Sequence, residues 1–335
     1  MSDILVTVVV PVYNAQDVLW HCINNLKGQT LIKHMEIILV DDGSYDDSSI
    51  ICDYLSKENM IRVISQDNAG MGVACNKAIS HARGKYIAFL RPYDVVEADM
   101  YETLYSNALL NDSDLVKCGL YFNLDDKTFR ETGQVHTSLW EENILKSISQ
   151  GKQPFTLWEN KALMMYRSAV GPTLYRTDFI KSFNFSTDRG TEDQDILFSI
   201  KTLLAAKRIS VVHKNLYCLN CDVAIASGEK DGENLMCVLD QIISAKKYLI
   251  NNGYFYDFFS EFYQQVIMVV FERYNKIRDD LKPVFLARLR EFFADIDIDK
   301  QPHVMKYFSE EGKGFLIDEI QKWLTDILCT KVVRC

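Results

Sequence analysis

Four short stretches of this 335-residue chain combine aromatic, carboxylate and glycine residues in patterns that suit ligand binding or proton transfer. The first is Pro11-Val12-Tyr13-Asn14 and the second Val40-Asp41-Asp42-Gly43-Ser44. A tyrosine ring offers a face on which a nucleobase can stack. A carboxylate beside it accepts hydrogen bonds from base N–H or ribose hydroxyl groups. The same residues have a plainer use, since Asn14 and Ser44 suit helix N-caps and paired aspartates are common in turns. The third stretch is Asp67-Asn68-Ala69-Gly70-Met71-Gly72, whose glycines let backbone N–H groups approach an anion at a helix start. It lacks the Lys-Ser/Thr ending of a P-loop, and an ordinary strand-to-helix turn has the same look. The fourth is Gly190-Thr191-Glu192-Asp193-Gln194-Asp195, with three carboxylates in four residues. A carboxylate there could deprotonate an incoming hydroxyl. Thr191 and Gln194 also spell a capping box, and acids in a first turn suit the helix dipole.

The elements that must hold these stretches alternate. Apolar, β-branched runs at 4–12, 36–40, 61–64 and 86–90 read as strands buried on both faces. Helical spacing of apolar residues separates them: Val18, Leu19, Cys22, Ile23 and Leu26, then Ile50, Ile51, Tyr54 and Leu55, then a helix over about 72–83 closed by Gly84. This rhythm predicts an α/β fold with a mainly parallel, Rossmann-like nucleotide-binding sheet covered by helices on both faces. Ligands of such sheets sit beyond the carboxyl ends of the strands, where three of the four stretches and the segment 91–94 fall. Further strands are expected at 115–122, 171–175 and 209–212, a helix from about Glu192, and an irregular stretch over 123–165 that could wall a second substrate pocket or, more plainly, form a hairpin plus helix. From 228 onward the pattern is helical, which gives two regions, 1–227 and 228–335. The aromatic stretch 254–274 carries mostly acidic charges and is a poor match for a cationic membrane-surface helix. Packing within the chain, a homodimer interface and peripheral membrane contact all stay open for it.

Taken in order, the stretches resemble family-2 inverting glycosyltransferases over about Val6 to Tyr217. The match includes Pro11–Asn14, Val40–Ser44, Asn68-Ala69-Gly70, Ala82–Leu90, Gly171–Arg176 and Glu192-Asp193. The resemblance implies an A-type glycosyltransferase fold, a nucleoside-diphosphate sugar donor, usually uridine-based, and a glycan or lipid-linked acceptor. It implies that Pro11, Tyr13, Asn14, Asp41, Asp42, Asn68 and Gly70 line the nucleotide site. Asp193 would be the catalytic base, with Glu192 beside it. It also implies Mn2+ or Mg2+ held by an Asp-x-Asp-Asp run. Here that run is Arg91-Pro92-Tyr93-Asp94, which leaves Asp94 as the one candidate metal ligand. A cation repels a metal ion, so Arg91 either bonds the phosphates directly or turns to solvent or Asp94. Two further departures are Cys75, where the family often has arginine before asparagine, and Cys218-Leu219-Asn220 after Tyr217, where an arginine is often found. These departures keep a second reading in view, a non-catalytic sugar-nucleotide-binding or scaffold protein on the same fold.

Bulk properties exclude other classes. A net charge of −9 argues against a nucleic-acid partner. No apolar run reaches the ~18 residues of a membrane span, and the chain starts without a basic leader, so the expected location is cytoplasmic, with the inner face of the membrane as the place of work. The nine cysteines are scattered, as free thiols in a reducing compartment are. Cys218 and Cys221 have zinc spacing, with His213 upstream, but no second pair completes a site. No G-x-G-x-x-G follows the first strand, which sets aside a dinucleotide-dependent oxidoreductase.

Overall fold

The computed structural model describes residues 3–123, 139–166, 168–186, 195–220 and 232–293. The chain divides into two compact units, Met1–Lys230 and Asp231–Cys335. The first is built on an eight-stranded sheet of order β3-β2-β1-β4-β7-β6-β8-β5. Its strands are β1 (Val6–Val12), β2 (Met35–Asp41), β3 (Ile61–Ser65), β4 (Tyr86–Phe89), β5 (Val95–Val96), β6 (Leu115–Asn123), β7 (Thr173–Arg176) and β8 (Ile209–Asn220). Strands β3, β2, β1 and β4 run parallel, as do β6 and β8, while β7 and β5 pair antiparallel with their neighbours. Every residue of β2, and all of β1 except Pro11, is buried, which is why both read as near-continuous apolar runs.

Helices α1 (Gln16–Lys27), α2 (Ser48–Leu55) and α3 (Met71–His81) join the first four strands. Next come α4 (Met100–Asn111), α5 (Leu139–Ser149), α6 (Thr177–Ile180) and α7 (Asp195–Ala205). Within 123–165 the helix of the plainer reading is present, and α5 buries Ile144, Leu145 and Ile148 on one face. One expectation needs correction. Strand β8 does not stop at Val212. It passes through the polar His213-Lys214-Asn215 by a register shift opposite Gly119, where a Cβ would collide with Asn215 Oδ1. That irregularity lets the strand continue and carry Tyr217 and Asn220 to the end of β4.

At the amino ends of the strands Glu36 is the tie. It accepts hydrogen bonds from Thr7 Oγ1 (2.7 Å), Arg83 N (2.6 Å) and Arg83 Nε (2.8 Å). Burial alone would push its carboxyl up. The bonds from Thr7 and Arg83, with the Arg83 charge, outweigh that and hold it below the ordinary value. Gly84 lies so close to Thr7 that a Cβ would meet its backbone N at 2.5 Å. The Ala82–Leu90 motif is therefore an anchor for β4.

The second unit contains α8 (Gly232–Asn251), α9 (Phe259–Lys276) and α10 (Lys282–Phe292). Phe258, Phe262 and Tyr263 are buried within it, so these rings of the aromatic stretch serve as core. The Lys246 ammonium lies over the rings of Phe292 (4.9 Å), Tyr263 (5.8 Å) and Phe255 (5.9 Å). Among the described residues no helix is long and apolar enough to cross a membrane.

Candidate active site

The turns after β1 and β2 are laced to each other by bonds between residues about thirty apart in sequence. Asn14 N donates to Ser44 Oγ (3.1 Å), Tyr45 N to Asn14 Oδ1 (3.0 Å) and Ala15 N to Ser48 Oγ (2.8 Å). Asn14 and Ser44 are thus not helix caps, as their types suggested. Helix α1 begins after Ala15 and α2 after Asp47, neither with a side-chain cap. Asn14 takes a positive φ of 48°, which asparagine tolerates better than most residues. The lacing puts Tyr13 and Tyr45 side by side at the rim, ring centroids 6.0 Å apart and nearly perpendicular. Both are exposed, Tyr13 by 47% and Tyr45 by 84%.

The two aspartates hold this rim from beneath. Asp41 accepts from Ser44 N (3.1 Å) and Ser49 Oγ (2.6 Å). Asp42 accepts from Gln66 Nε2 (2.7 Å), Ala69 N (2.9 Å) and Gly70 N (2.8 Å). A carboxylate offers about four acceptor positions, so neither group is saturated. Gly43 permits this junction, because a Cβ there would lie 2.7 Å from Asn68 N. Gly70 has φ 94° and opens α3. Pro11, Tyr13, Asn14, Asp41, Asp42, Asn68 and Gly70 are therefore brought to one edge, the carboxyl ends of β1, β2 and β3. Tyr45 and Ser49 are members that the motifs did not single out. Tyr45 directly follows the Asp-Asp-Gly-Ser run, which was the available signal.

Beside this edge the chain turns sharply after β4. The register pairing Val9 with Phe89, and Leu90 N donating to Val9 O (2.9 Å), sets Arg91 next to Pro11. Asp94 N donates to Arg91 O (3.0 Å), closing a β-turn with Pro92 at its second position. The turn folds Arg91 onto Asp94, with Nε to Oδ2 at 2.7 Å and Nη2 to Oδ1 at 3.4 Å, and lays the guanidinium over the Tyr93 ring at 5.0 Å. Tyr217 OH also donates to Asp94 Oδ2 (2.5 Å) and Asn220 N to Oδ1 (3.0 Å). Burial works against the Arg91 charge, but Asp94 more than offsets it and raises the guanidinium well above its ordinary value. Burial, and then Asp94, raise Tyr217 in the same direction. The Tyr217 ring passes so close over Gly171 that a Cβ there would collide with it.

This arrangement does not fit the metal that the family pattern implies. Asp94 is buried and its two oxygens receive four donors, so little acceptor capacity remains for a cation, and a fixed positive charge lies beside it. Of the alternatives for Arg91, the structure has the pairing with Asp94, which anchors it. Among the described residues no three His, Cys, Asp or Glu side chains are grouped to hold a metal ion. That includes Cys218 and His213, while Cys221 lies outside the described residues.

Glu192 and Asp193 also lie outside them, as do Thr191 and Gln194. The described chain resumes at Asp195, the first residue of α7, whose Oδ2 accepts from Val170 N (3.1 Å). The turn before β7 is held from its other side by buried Lys117, which donates to Thr173 Oγ1 (2.9 Å) and Ala169 O (3.2 Å). Burial pushes the Lys117 ammonium down to about 8. Nothing in the sequence pattern marked this lysine.

Strand order, helix placement and the strand-end rim together define the class. The protein has the A-type glycosyltransferase fold. S. aureus TarS 1–349 in complex with UDP-GlcNAc superposes with a TM-score of 0.62 at 20% identity, over 96% of this chain and 89% of that one. The description "Glycosyl transferase family 2" matches residues 7–169. Glycosyltransferase GlyG of Streptococcus pneumoniae is 34% identical over 225 residues, 65% of this chain and 70% of that protein. The uncharacterized glycosyltransferase YibD of Escherichia coli is 34% identical over 212 residues, which are 63% of this chain and 60% of YibD. The chain belongs to glycosyltransferase family 2.

Proposed function

We propose that the protein is an inverting glycosyltransferase that moves a sugar from a UDP-sugar to a hydroxyl of a glycan or lipid-linked acceptor, in polysaccharide assembly at the inner face of a bacterial membrane. The observation that carries this reading is the laced rim of β1, β2 and β3, which presents Tyr13 above two buried carboxylates at the strand ends. The complex of TarS with UDP-GlcNAc supports uridine as the base. The uracil stacks on Tyr13, while Asp41 and Asp42 use their remaining acceptor capacity toward base and ribose. Asp193 takes the acceptor's proton as the sugar–phosphate bond breaks, and inversion follows from a single displacement on the opposite face. Asp195, tied to Val170, fixes the start of α7 two residues beyond that base.

The test is turnover with a panel of UDP-sugars and glycan acceptors. Asp193→Asn keeps the shape of the side chain and cannot accept the proton. It should lower turnover by about 10²–10⁴-fold and leave donor binding nearly intact. A mutant with wild-type turnover removes Asp193 from the mechanism. The Arg91-Pro92-Tyr93 run favours one other reading, a sugar-nucleotide binder without turnover. Binding of UDP-sugars with no transfer to any acceptor in the panel selects it.

A further inference from the structure

We infer that Arg91 is a fixed cation for the donor's diphosphate, doing in this chain the electrostatic work that the family pattern gives to a divalent metal. The inference rests on the uridine-nucleotide reading above. It begins with the local sequence. Proline at the second position of the Arg91–Asp94 turn limits its backbone and brings the two charged side chains together. Asp94 then holds Nε and Nη2 along one side of the fork, and the Tyr93 ring supports its plane. A guanidinium so held loses little freedom on meeting a phosphate, and its planar fork matches phosphate oxygens.

Charge and position agree. Tyr217 OH and Asn220 N also donate to the Asp94 oxygens, so Arg91 is not the only hydrogen-bond donor that the carboxylate receives. Arg91 has five N–H donors, the contacts with Asp94 use one side of the fork, and 26% of the side chain stays exposed. The parallel register sets it beside Pro11, one strand from Tyr13. A nucleotide whose base stacks on Tyr13 directs its phosphates along this edge. The leaving diphosphate gains negative charge as the sugar departs, and a preorganised cation stabilises that charge without reorganising.

The experiment is calorimetry with uridine and with UDP, in chelator and then with added Mn2+, on wild type, Arg91→Ala and the double variant Arg91→Asp/Tyr93→Asp. Wild type should bind UDP equally well, within about twofold, in chelator and in Mn2+. Arg91→Ala should lose about 10- to 100-fold in UDP affinity, the scale of hydrogen bonds to a charged group. Its uridine affinity should stay within about threefold of wild type, which also shows that the rim is folded. The double variant restores two carboxylates and should bind UDP more tightly in Mn2+ than in chelator. Wild-type UDP binding that vanishes in chelator and returns with Mn2+ overturns the inference, as does Arg91→Ala binding UDP like wild type. Uridine bound as tightly as UDP by wild type overturns the inference alone. Binding of neither overturns the function proposed above together with it.

Discussion

The two halves of the strand-end rim are built differently. Around β1, β2 and β3, backbone N–H groups of one turn bond side chains of another, and the residue types follow the family pattern. Around β4 and β8, the Arg91 and Tyr217 side chains and the Asn220 N–H converge on one carboxylate, and the pattern is gone: a cation and a ring stand where carboxylates are expected. The first half depends on backbone geometry and tolerates little change in position. The second depends on four donors meeting one carboxylate, so its chemistry can change while the backbone turn stays. On the function and inference proposed above, the nucleoside would sit on the rigid half and the diphosphate on the adaptable one.

The largest expected effect breaks the rigid half. Asp42→Ala leaves Gln66, Ala69 N and Gly70 N without their acceptor, at about 0.5–1.5 kcal/mol for each part-buried hydrogen bond lost. Thermal unfolding should shift down by several degrees, roughly 2–4 °C per kcal/mol for a domain of this size. UDP binding should fall with it. An unchanged melting curve would show that Asp42 is not structural.

Tyr13→Ala sharpens the contrast, because the ring is exposed and holds nothing up. Binding of UDP should weaken by roughly 1–3 kcal/mol, the range for one lost base stack, with no change in melting temperature. Equal affinity by calorimetry takes Tyr13 out of the site.

On the adaptable half, Tyr217→Phe deletes one hydroxyl donor to Asp94 and keeps the ring over Gly171. The cost to stability should be about 1.5–3 kcal/mol, the range for a hydrogen bond to a charged group, checked by denaturant unfolding. A loss above about 3 kcal/mol would mean the second half is as rigid as the first.

The smallest effect lies at the far ends of the strands and acts as a control for both halves. Glu36 is held below its ordinary value, so its contribution is complete above the unfolded carboxylate value of about 4.3 and fades as pH falls through the folded one. Glu36→Gln should lower the melting temperature at pH 7, with the gap from wild type closing below about pH 4. UDP affinity at pH 7 should not change. A gap that is constant with pH contradicts the ionised tie.

Much of the fold was legible because β1, β2 and β4 are buried on both faces and their turns are short. The continuation of β8 was not, because His213-Lys214-Asn215 looks like a loop until Gly119 makes room for it. A helix within 123–165 was one of two readings, but the bounds of α5 were obscured by the polar residues around Ile144, Leu145 and Ile148. In the site, the strand-end motifs pointed to the right edge, while the work of single residues was hidden by sequence distance. Ser44 meets Asn14 across thirty positions, and Tyr217 meets Asp94 across 123. Local rules therefore assigned caps where the structure has cross-links. They also gave no sign that Tyr217 and Asn220 meet Asp94.

Gly171 and Tyr217 have a consequence for how this protein can vary. With a ring at 217, even a methyl group at 171 collides with it, so substitutions at 171 are closed to any descendant that keeps the tyrosine. Shrink residue 217 first and position 171 becomes permissive, but by then Asp94 has lost a donor. The two positions form a ratchet in which the order of changes matters. A variant library that randomises them together will reach sequences that single-site libraries cannot.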